Sequence, residues 1–340
     1  MKNGNVTIKD IATELKISIS TVSRALSNSP VVKLQTRKAV QELAKKYNYT
    51  PNLTALSLKH SKTRTIGVII PQLVHEFFAL VIRGIEDFAY ANHYSVIICS
   101  SHNEYEREVI DSKTLINGRV DGLLACITKD TSNFDHFAEF KQRNIPLVLF
   151  DCVCSEIESP KVVIDDFDAG YKATQHLIEQ GCTKIAYLGG PKSLYTNHHR
   201  LKGYKAAIKE AGLKVNTDWE LHASSGEDYD EGMKLSKKLM QTQDIDGIFA
   251  TTDMLAIGAM KSIKSAGIRI PEDVAVIGFS NWTISSIYEP SLSTVSQPGY
   301  EMGFKAAELL IEQVKNPDSN MTDTHILSTE VVKRESSLRK

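Results

Sequence analysis

Ile19-Ser20-Thr21-Val22-Ser23-Arg24-Ala25-Leu26 joins short hydroxyl side chains to a single arginine in one brief stretch. At helical spacing Val22 and Leu26 share a face, leaving Ile19, Ser20, Ser23 and Arg24 on the other. Short side chains let such a face sit deep in a DNA major groove, where an arginine can fork onto guanine O6 and N7 or grip phosphate. Other chemistry-bearing residues lie far along the chain. Asp151 follows the apolar run Leu147–Phe150 and can accept hydroxyl hydrogens, or simply end a turn. Arg200 opens a helical pattern, where its fork suits hydroxyls or a carboxylate, against the plainer reading of a surface arginine. Phe77 and Phe78 offer flat faces to a sugar ring, with core packing the competing use for one of them. Thr252-Asp253 stands between strand and helix, so Asp253 reads as a ligand contact or a helix cap. Ser280-Asn281 closes another strand-like run.

Catalytic readings fare worse. Gly278-Phe279-Ser280-Asn281-Trp282 lacks the second glycine of a nucleophile elbow. There is no phosphate loop and no Gly-x-Gly-x-x-Gly. His198-His199 are adjacent and diverge on a helix. Asp165-Asp166 and Asp244/Asp246 read as solvated turns. Cys152-Val153-Cys154 has no second pair, so no metal site and no cofactor are expected.

These residues need elements to hold them. Ile8, Ile11, Ala12 and Leu15 make the apolar face of a first helix capped by Thr7, and Ser18 caps the second. A third, near Leu34–Tyr47, buries Val40, Leu43, Ala44 and Tyr47 and shows Arg37, Lys38, Lys45 and Lys46, cations that fix register on phosphates without reading sequence. Pro51 ends that helix and can start another, too short to be stable away from DNA and a dimer mate. The plainer reading of this segment is a basic linker.

Charge divides along the same line. Residues 1–65 carry 12 Lys+Arg against 3 Asp+Glu, or +9; the remaining 28 basic and 38 acidic residues give −10. A basic head on an acidic body points to a polyanionic partner for the head alone. No run approaches a membrane helix, and Met1–Thr7 has no apolar leader core. The five scattered cysteines suit free thiols in a reducing cytoplasm.

From Thr65 onward continuous apolar runs alternate with amphipathic helices. The runs are Ile66–Ile70, Val96–Cys99, Gly122–Ala125, Leu147–Phe150, Val162–Ile164, Ile185–Leu188, Gly247–Ala250 and Val274–Ile277. The helices include Phe78–Asn92, Thr174–Gln180 and Gly203–Ala211. This is the pattern of doubly wound α/β sheets with parallel strands buried on both faces, which bind ligands beyond the strands' carboxyl ends.

Val6–Ala12, Ser20–Leu26 and Tyr49-Thr50-Pro51-Asn52 resemble the opening of the lactose-repressor (LacI-type) bacterial regulators. Phe77-Phe78 with Gly84-Ile85-Glu86, Asp121-Gly122-Leu123, Gly189-Gly190-Pro191, Arg200–Tyr204, Pro271–Phe279 and Pro290–Val295 continue that series in order over essentially the whole chain. The resemblance implies a small all-α helix-turn-helix head (1–49), a hinge helix and linker (50–64), and a two-lobed, periplasmic-binding-protein-like body (65–340). The body is crossed three times, near Val163–Asp165, Thr294–Gln297 and Asp323–Leu327. It implies DNA contacts from Thr7, Ser18, Ile19, Ser20, Thr21, Ser23, Arg24, Asn28, Arg37, Tyr49, Asn52 and Ala55, with Leu58 as a minor-groove wedge. It places an effector against Phe77, Phe78, Asp151, Arg200, Thr252, Asp253, Ser280 and Asn281. Lys16, where glycine is common, predicts a looser or different turn. Leu56 replaces a hinge arginine, and Lys33 a serine cap. Ser280-Asn281 replaces a sugar-binding carboxylate, and the aromatic wall near Glu227–Tyr229 is ambiguous.

The implied function is a cytoplasmic, sequence-specific DNA-binding transcriptional regulator acting as a repressor. It would act as a homodimer on a pseudo-palindromic operator and respond to a sugar or sugar derivative between the lobes. A co-repressor- or protein-partner-dependent regulator is the alternative, and an α/β enzyme with an accessory DNA reader a remote one.

Overall fold

A computed structural model of the 340-residue chain describes residues 6–49, 62–192, 194–223, 228–242, 244–317, 319 and 321–339. Asn52, Ala55, Leu56 and Leu58, with most of the expected hinge, lie outside the described residues, as does Glu227. The chain divides into two compact units, Met1–Thr63 and Arg64–Lys340.

The first unit holds α1 (Ile8–Glu14), α2 (Ile19–Leu26) and α3 (Leu34–Lys46). Their apolar stripes meet in one small core of Ile11, Ala12, Val22, Ala25, Val32, Val40, Leu43 and Ala44. Ala25 takes the fully buried place beside Val22, and Leu26 is only half-buried. Tyr47 is half-buried too, its hydroxyl donating to Glu14 at 2.7 Å. Thr7 opens α1 at its N-cap, where its backbone N–H and its hydroxyl both donate to Asp10 Oδ2, at 2.8 and 2.6 Å.

The turn after α1 is regular rather than loose. Lys16 adopts φ +53, while Ile17 N–H donates to the Ala12 carbonyl and Lys16 N–H to that of Thr13. That pair of bonds defines a Schellman closure, with a lysine carrying the left-handed residue that glycine usually supplies.

The second unit contains two six-stranded sheets. The first, in order β11-β5-β4-β3-β1-β2, is built from β1 (Thr65–Ile70), β2 (Ser95–Ser100), β3 (Gly122–Ala125), β4 (Leu147–Phe150), β5 (Lys161–Ile164) and β11 (Thr324–Leu327). The second, in order β12-β10-β9-β8-β6-β7, uses β6 (Ile185–Gly189), β7 (Glu220–His222), β8 (Gly247–Ala250), β9 (Ala275–Ser280), β10 (Ser293–Ser296) and β12 (Glu330–Val332). Every pairing is parallel except β10 with β12. The chain leaves the first sheet after β5, returns after β10, and crosses again between β11 and β12. The third crossing thus falls just past Leu327.

Helices cover these sheets in close pairs. α4 (Glu76–Ala91) crosses α12 (Gly299–Lys315), α7 (Asp166–Glu179) crosses α8 (Tyr195–Glu210), and α9 (Tyr229–Thr242) crosses α10 (Asp253–Ser265). α5 (Tyr105–Asn117) packs with α6 (Asp135–Gln142), and the short α11 (Thr283–Ile287) lies beside α10. Each of the three close crossings is made backbone to backbone at glycine. A Cβ on Gly170 would strike the Arg200 carbonyl, and one on Gly203 would strike that of Phe167. α7 and α8 start about eight residues before the apolar periodicity suggests, because their first turns carry polar residues with buried roles.

Lys33 holds the N-cap position of α3 without a side-chain bond to the exposed amides. Lys33→Ser should stabilise that first turn by about 1 kcal/mol, seen as roughly fivefold slower amide hydrogen exchange there.

Candidate functional site

In the head, Ser18 organises the reading helix. Its Oγ accepts the Thr21 N–H at 3.1 Å and lies 2.8 Å from both the Ser20 and Thr21 hydroxyls. Val22 and Ala25 turn inward, so Ile19 (45% exposed), Ser20 and Arg24 face outward, with Ser23 half-buried. Asn28 takes φ +56 after the helix and is braced from α3: Gln41 Nε2 donates to its Oδ1 at 2.7 Å, and Arg37 Nη1 to its carbonyl at 3.1 Å. Arg37 is therefore engaged within the head, and Tyr49 packs at the edge of the core. The arrangement can present hydroxyls and one guanidinium to base edges.

In the body, the carboxyl ends of the strands carry the predicted ligand residues, but several serve the fold. Thr252, not Asp253, caps α10, accepting the Leu255 N–H at 3.2 Å. Asp253 has no exposed surface; its carboxylate accepts the Thr294 hydroxyl at 2.6 Å and the Trp282 N–H at 2.7 Å. Ser280 and Asn281 both take positive φ. The Ser280 hydroxyl donates to Gln297 at 2.8 Å, and the Asn281 carboxamide is held by Arg334 at 2.8 Å and Ser296 at 3.3 Å. Phe77 and Phe78 are both buried in the hydrophobic core, their rings edge-on at 5.2 Å.

Arg200 is buried, not a surface arginine. Its Nε donates to Asp166 Oδ1 at 2.8 Å and its Nη1 to the Thr251 carbonyl at 3.1 Å, while its guanidinium lies 3.7 Å from the Phe279 ring centre. Asp166, expected in a solvated turn, is its partner, because the crossing after β5 delivers it into the second lobe's interior. Asp151, half-buried at φ +57 beyond β4, brings its charge close to Asp166. Asp165, expected in a solvated turn, instead caps α7, accepting the Asp168 N–H at 2.9 Å. Asp246 accepts the N–H groups of Thr183 and Lys184.

The two lobes also touch at a clasp that spacing arguments miss. Glu76 of α4 accepts the Thr283 N–H at 2.8 Å and the Thr283 hydroxyl at 2.6 Å. Beside it His75 stands edge-on to Trp282, ring centres 5.2 Å apart. A residue of one lobe thus caps a helix of the other.

Comparison with known proteins agrees with this division. Residues 7–52 match the model for bacterial regulatory proteins of the lacI family, and residues 174–337 match a periplasmic binding protein-like domain. The ribose operon repressor of Halalkalibacterium halodurans is 35% identical over 335 residues, covering 97% of each chain. The repressor CytR of Escherichia coli K12 is 36% identical, covering 91% of this chain and 90% of that one. The chain belongs to the LacI family.

It is accordingly a DNA-binding transcriptional regulator. Among solved structures, the lac repressor dimer bound to operator and the anti-inducer ONPF shares this fold, with TM-score 0.88, 23% identity and coverage of 99% and 100%. A LacI-family regulator from Enterococcus faecium with bound ribose matches at TM-score 0.71 and 29% identity, covering 80% of this chain and 98% of that one.

Burial sets the electrostatics of this LacI-family site. Desolvation raises Asp166 to about 6, with the Arg200 charge pulling the other way. Desolvation also raises Asp253 to about 7, opposed by its bond from Thr294. A raised carboxylate holds its proton in the folded state after the unfolded chain, near 3.9, has lost it. Its contribution to stability is therefore full below about pH 4 and lost as pH rises through 6 to 7.

Two outcomes follow from these contacts. In denaturant titrations, lowering the pH from 8 to 5 should raise the stability of the wild type relative to Asp253→Asn, by about 2 kcal/mol; parallel pH profiles would contradict the assignment. Glu76→Ala, which removes two partly exposed hydrogen bonds across the lobes, should favour separated lobes by about 1 kcal/mol. Fluorescent labels placed one on each lobe would report that opening.

Proposed function

We propose that this regulator is a repressor acting as a two-fold dimer on a pseudo-palindromic operator, and that an uncharged sugar or sugar derivative held between the lobes changes its operator affinity. One short helix reads too few bases for specificity, and a symmetric pair doubles the site. The observation that carries the reading is the outward row Ile19, Ser20, Arg24 on a head joined to a two-lobed body. In that body Arg200 and Asp166 pair inside the second lobe at its first crossing, with the charge of Asp151 from the first lobe acting on them. Effector-driven rotation of one lobe against the other is the bistable element, carried to the head through residues 50–64.

The relative solved with ribose and a regulator solved with cellobiose (CelR, 25% identical, TM-score 0.74) support the effector class. So does the near-neutral Arg200–Asp166 pair, which offers donors and acceptors together, as hydroxyl groups require.

The test begins with duplexes selected from a random pool by the full protein. Arg24→Ala should weaken the selected sequence by roughly 10–100-fold and leave weak nonspecific binding nearly unchanged. Equal affinity for the selected sequence would remove α2 as the reading helix. Arg200→Lys keeps a cation beside Asp166 but loses the fork. That variant should bind operator normally and lose the response to pentoses and disaccharides screened by thermal shift. A retained response would discard the proposed effector site.

A further inference from the structure

Cys126 and Cys152 are distant in sequence and adjacent in space. Cys126 directly follows β3 and Cys152 lies just beyond β4, and these strands are parallel neighbours with Ala125 opposite Leu149. The Ile127 N–H donates to the Cys152 carbonyl at 3.0 Å, which ties the two strand ends together. Their Sγ atoms and a carboxylate oxygen of Asp151 all lie within 4.8 Å of one another. The Cys126 Sγ to Asp151 Oδ2 distance is 3.7 Å.

We propose that Cys126, Asp151 and Cys152 bind a single thiophilic divalent cation of the zinc class, on the first lobe at its boundary with the second. The spacing is that of a ligand set. A tetrahedral ion with bonds of about 2.3 Å to sulfur and 2.1 Å to oxygen separates a sulfur from an oxygen by about 3.6 Å. Both sulfurs are buried and Asp151 is half-buried, which leaves the carboxylate side as the way in.

The chemistry balances without a redox partner. The dication displaces one proton from each thiol, forms two metal–sulfur bonds and one metal–carboxylate bond, and releases two protons to water. The site then carries one net negative charge, beside an Arg200 already paired with Asp166. A fourth tetrahedral position remains for water or a ligand oxygen.

The experiment titrates the full-length, reduced, metal-stripped protein with Co²⁺. The expected result is one equivalent bound, with a near-ultraviolet thiolate-to-cobalt absorption band and intense tetrahedral visible bands, both bleached by Zn²⁺. Cys126→Ser should weaken binding by about tenfold or more and cut the thiolate band by about half. Cys152→Ser should do the same, which guards against one variant misfolding. Asp151→Ala should weaken binding while keeping the full thiolate band, and Cys154→Ser should change nothing. No thiolate band at millimolar Co²⁺, or an undiminished band in both serine variants, overturns the site. Operator binding on the same preparations separates the two readings: protein that binds selected duplex but no cobalt refutes the metal site alone.

Discussion

The buried Arg200–Asp166 pair is the interaction on which the body's geometry hangs. Asp166 stands at the first crossing between lobes and Arg200 on the next helix, and Arg200 also reaches the carbonyl at the end of β8 and the Phe279 ring on β9. One guanidinium thus joins the crossing, a helix and two strands. It can do so only because α7 and α8 touch backbone to backbone at Gly170 and Gly203, which brings the two side chains within bonding range. Such a pair contributes little net stability, since desolvation opposes the attraction, but removing one partner leaves a charge stranded in the interior. Its value is positional.

That rigidity contrasts with the boundary between the lobes. Three chain crossings confine relative motion to a hinge, and the third is anchored firmly. Beyond β12, Arg334 donates to Asn281, Ser285 and the Leu292 carbonyl, and the Ser337 hydroxyl lies 2.6 Å from His176. Against these fixed points, the Glu76–Thr283 clasp is small, partly exposed and made of two hydrogen bonds. A contact of that size is weak enough for a ligand to override and strong enough to bias an empty protein, as a two-state element needs.

What could be read from the chain follows from how local each feature is. Seven of the eight apolar runs announce themselves because both faces of their strands are buried, while β2 is a half-exposed edge strand found by its run of Val96, Ile97 and Ile98 alone. β10 does not announce itself, since Ser293 and Thr294 fill its buried positions and are satisfied by Ser336, Arg334 and Asp253. β7, β11 and β12 are short or half-exposed edge strands with no apolar run to find. In the head, Thr7 and Ser18 were legible as caps because a cap acts on residues three places away. Asp166, Glu76 and the Cys126–Cys152 pair were not, because each acquires its partner through a crossing or a neighbouring strand. A rule that looks for paired cysteines along the sequence cannot see two thiols aligned by sheet register.

The same internal bonds bear on what the effector can be. At Ser280-Asn281, where the resemblance predicts a sugar-binding carboxylate, Asn281 gives its oxygen to Arg334 and its amide to Ser296, and Ser280 donates to Gln297. Asp253 is wholly enclosed. Most polar groups at the second lobe's strand ends are thus bonded internally, and the charges of Arg200, Asp166 and Asp151 cluster at the first crossing. In the proposed reading, an effector anchored there takes its orientation from the first crossing rather than from the end of β9. On that proposal, binding strain acts directly on the segment that links the lobes.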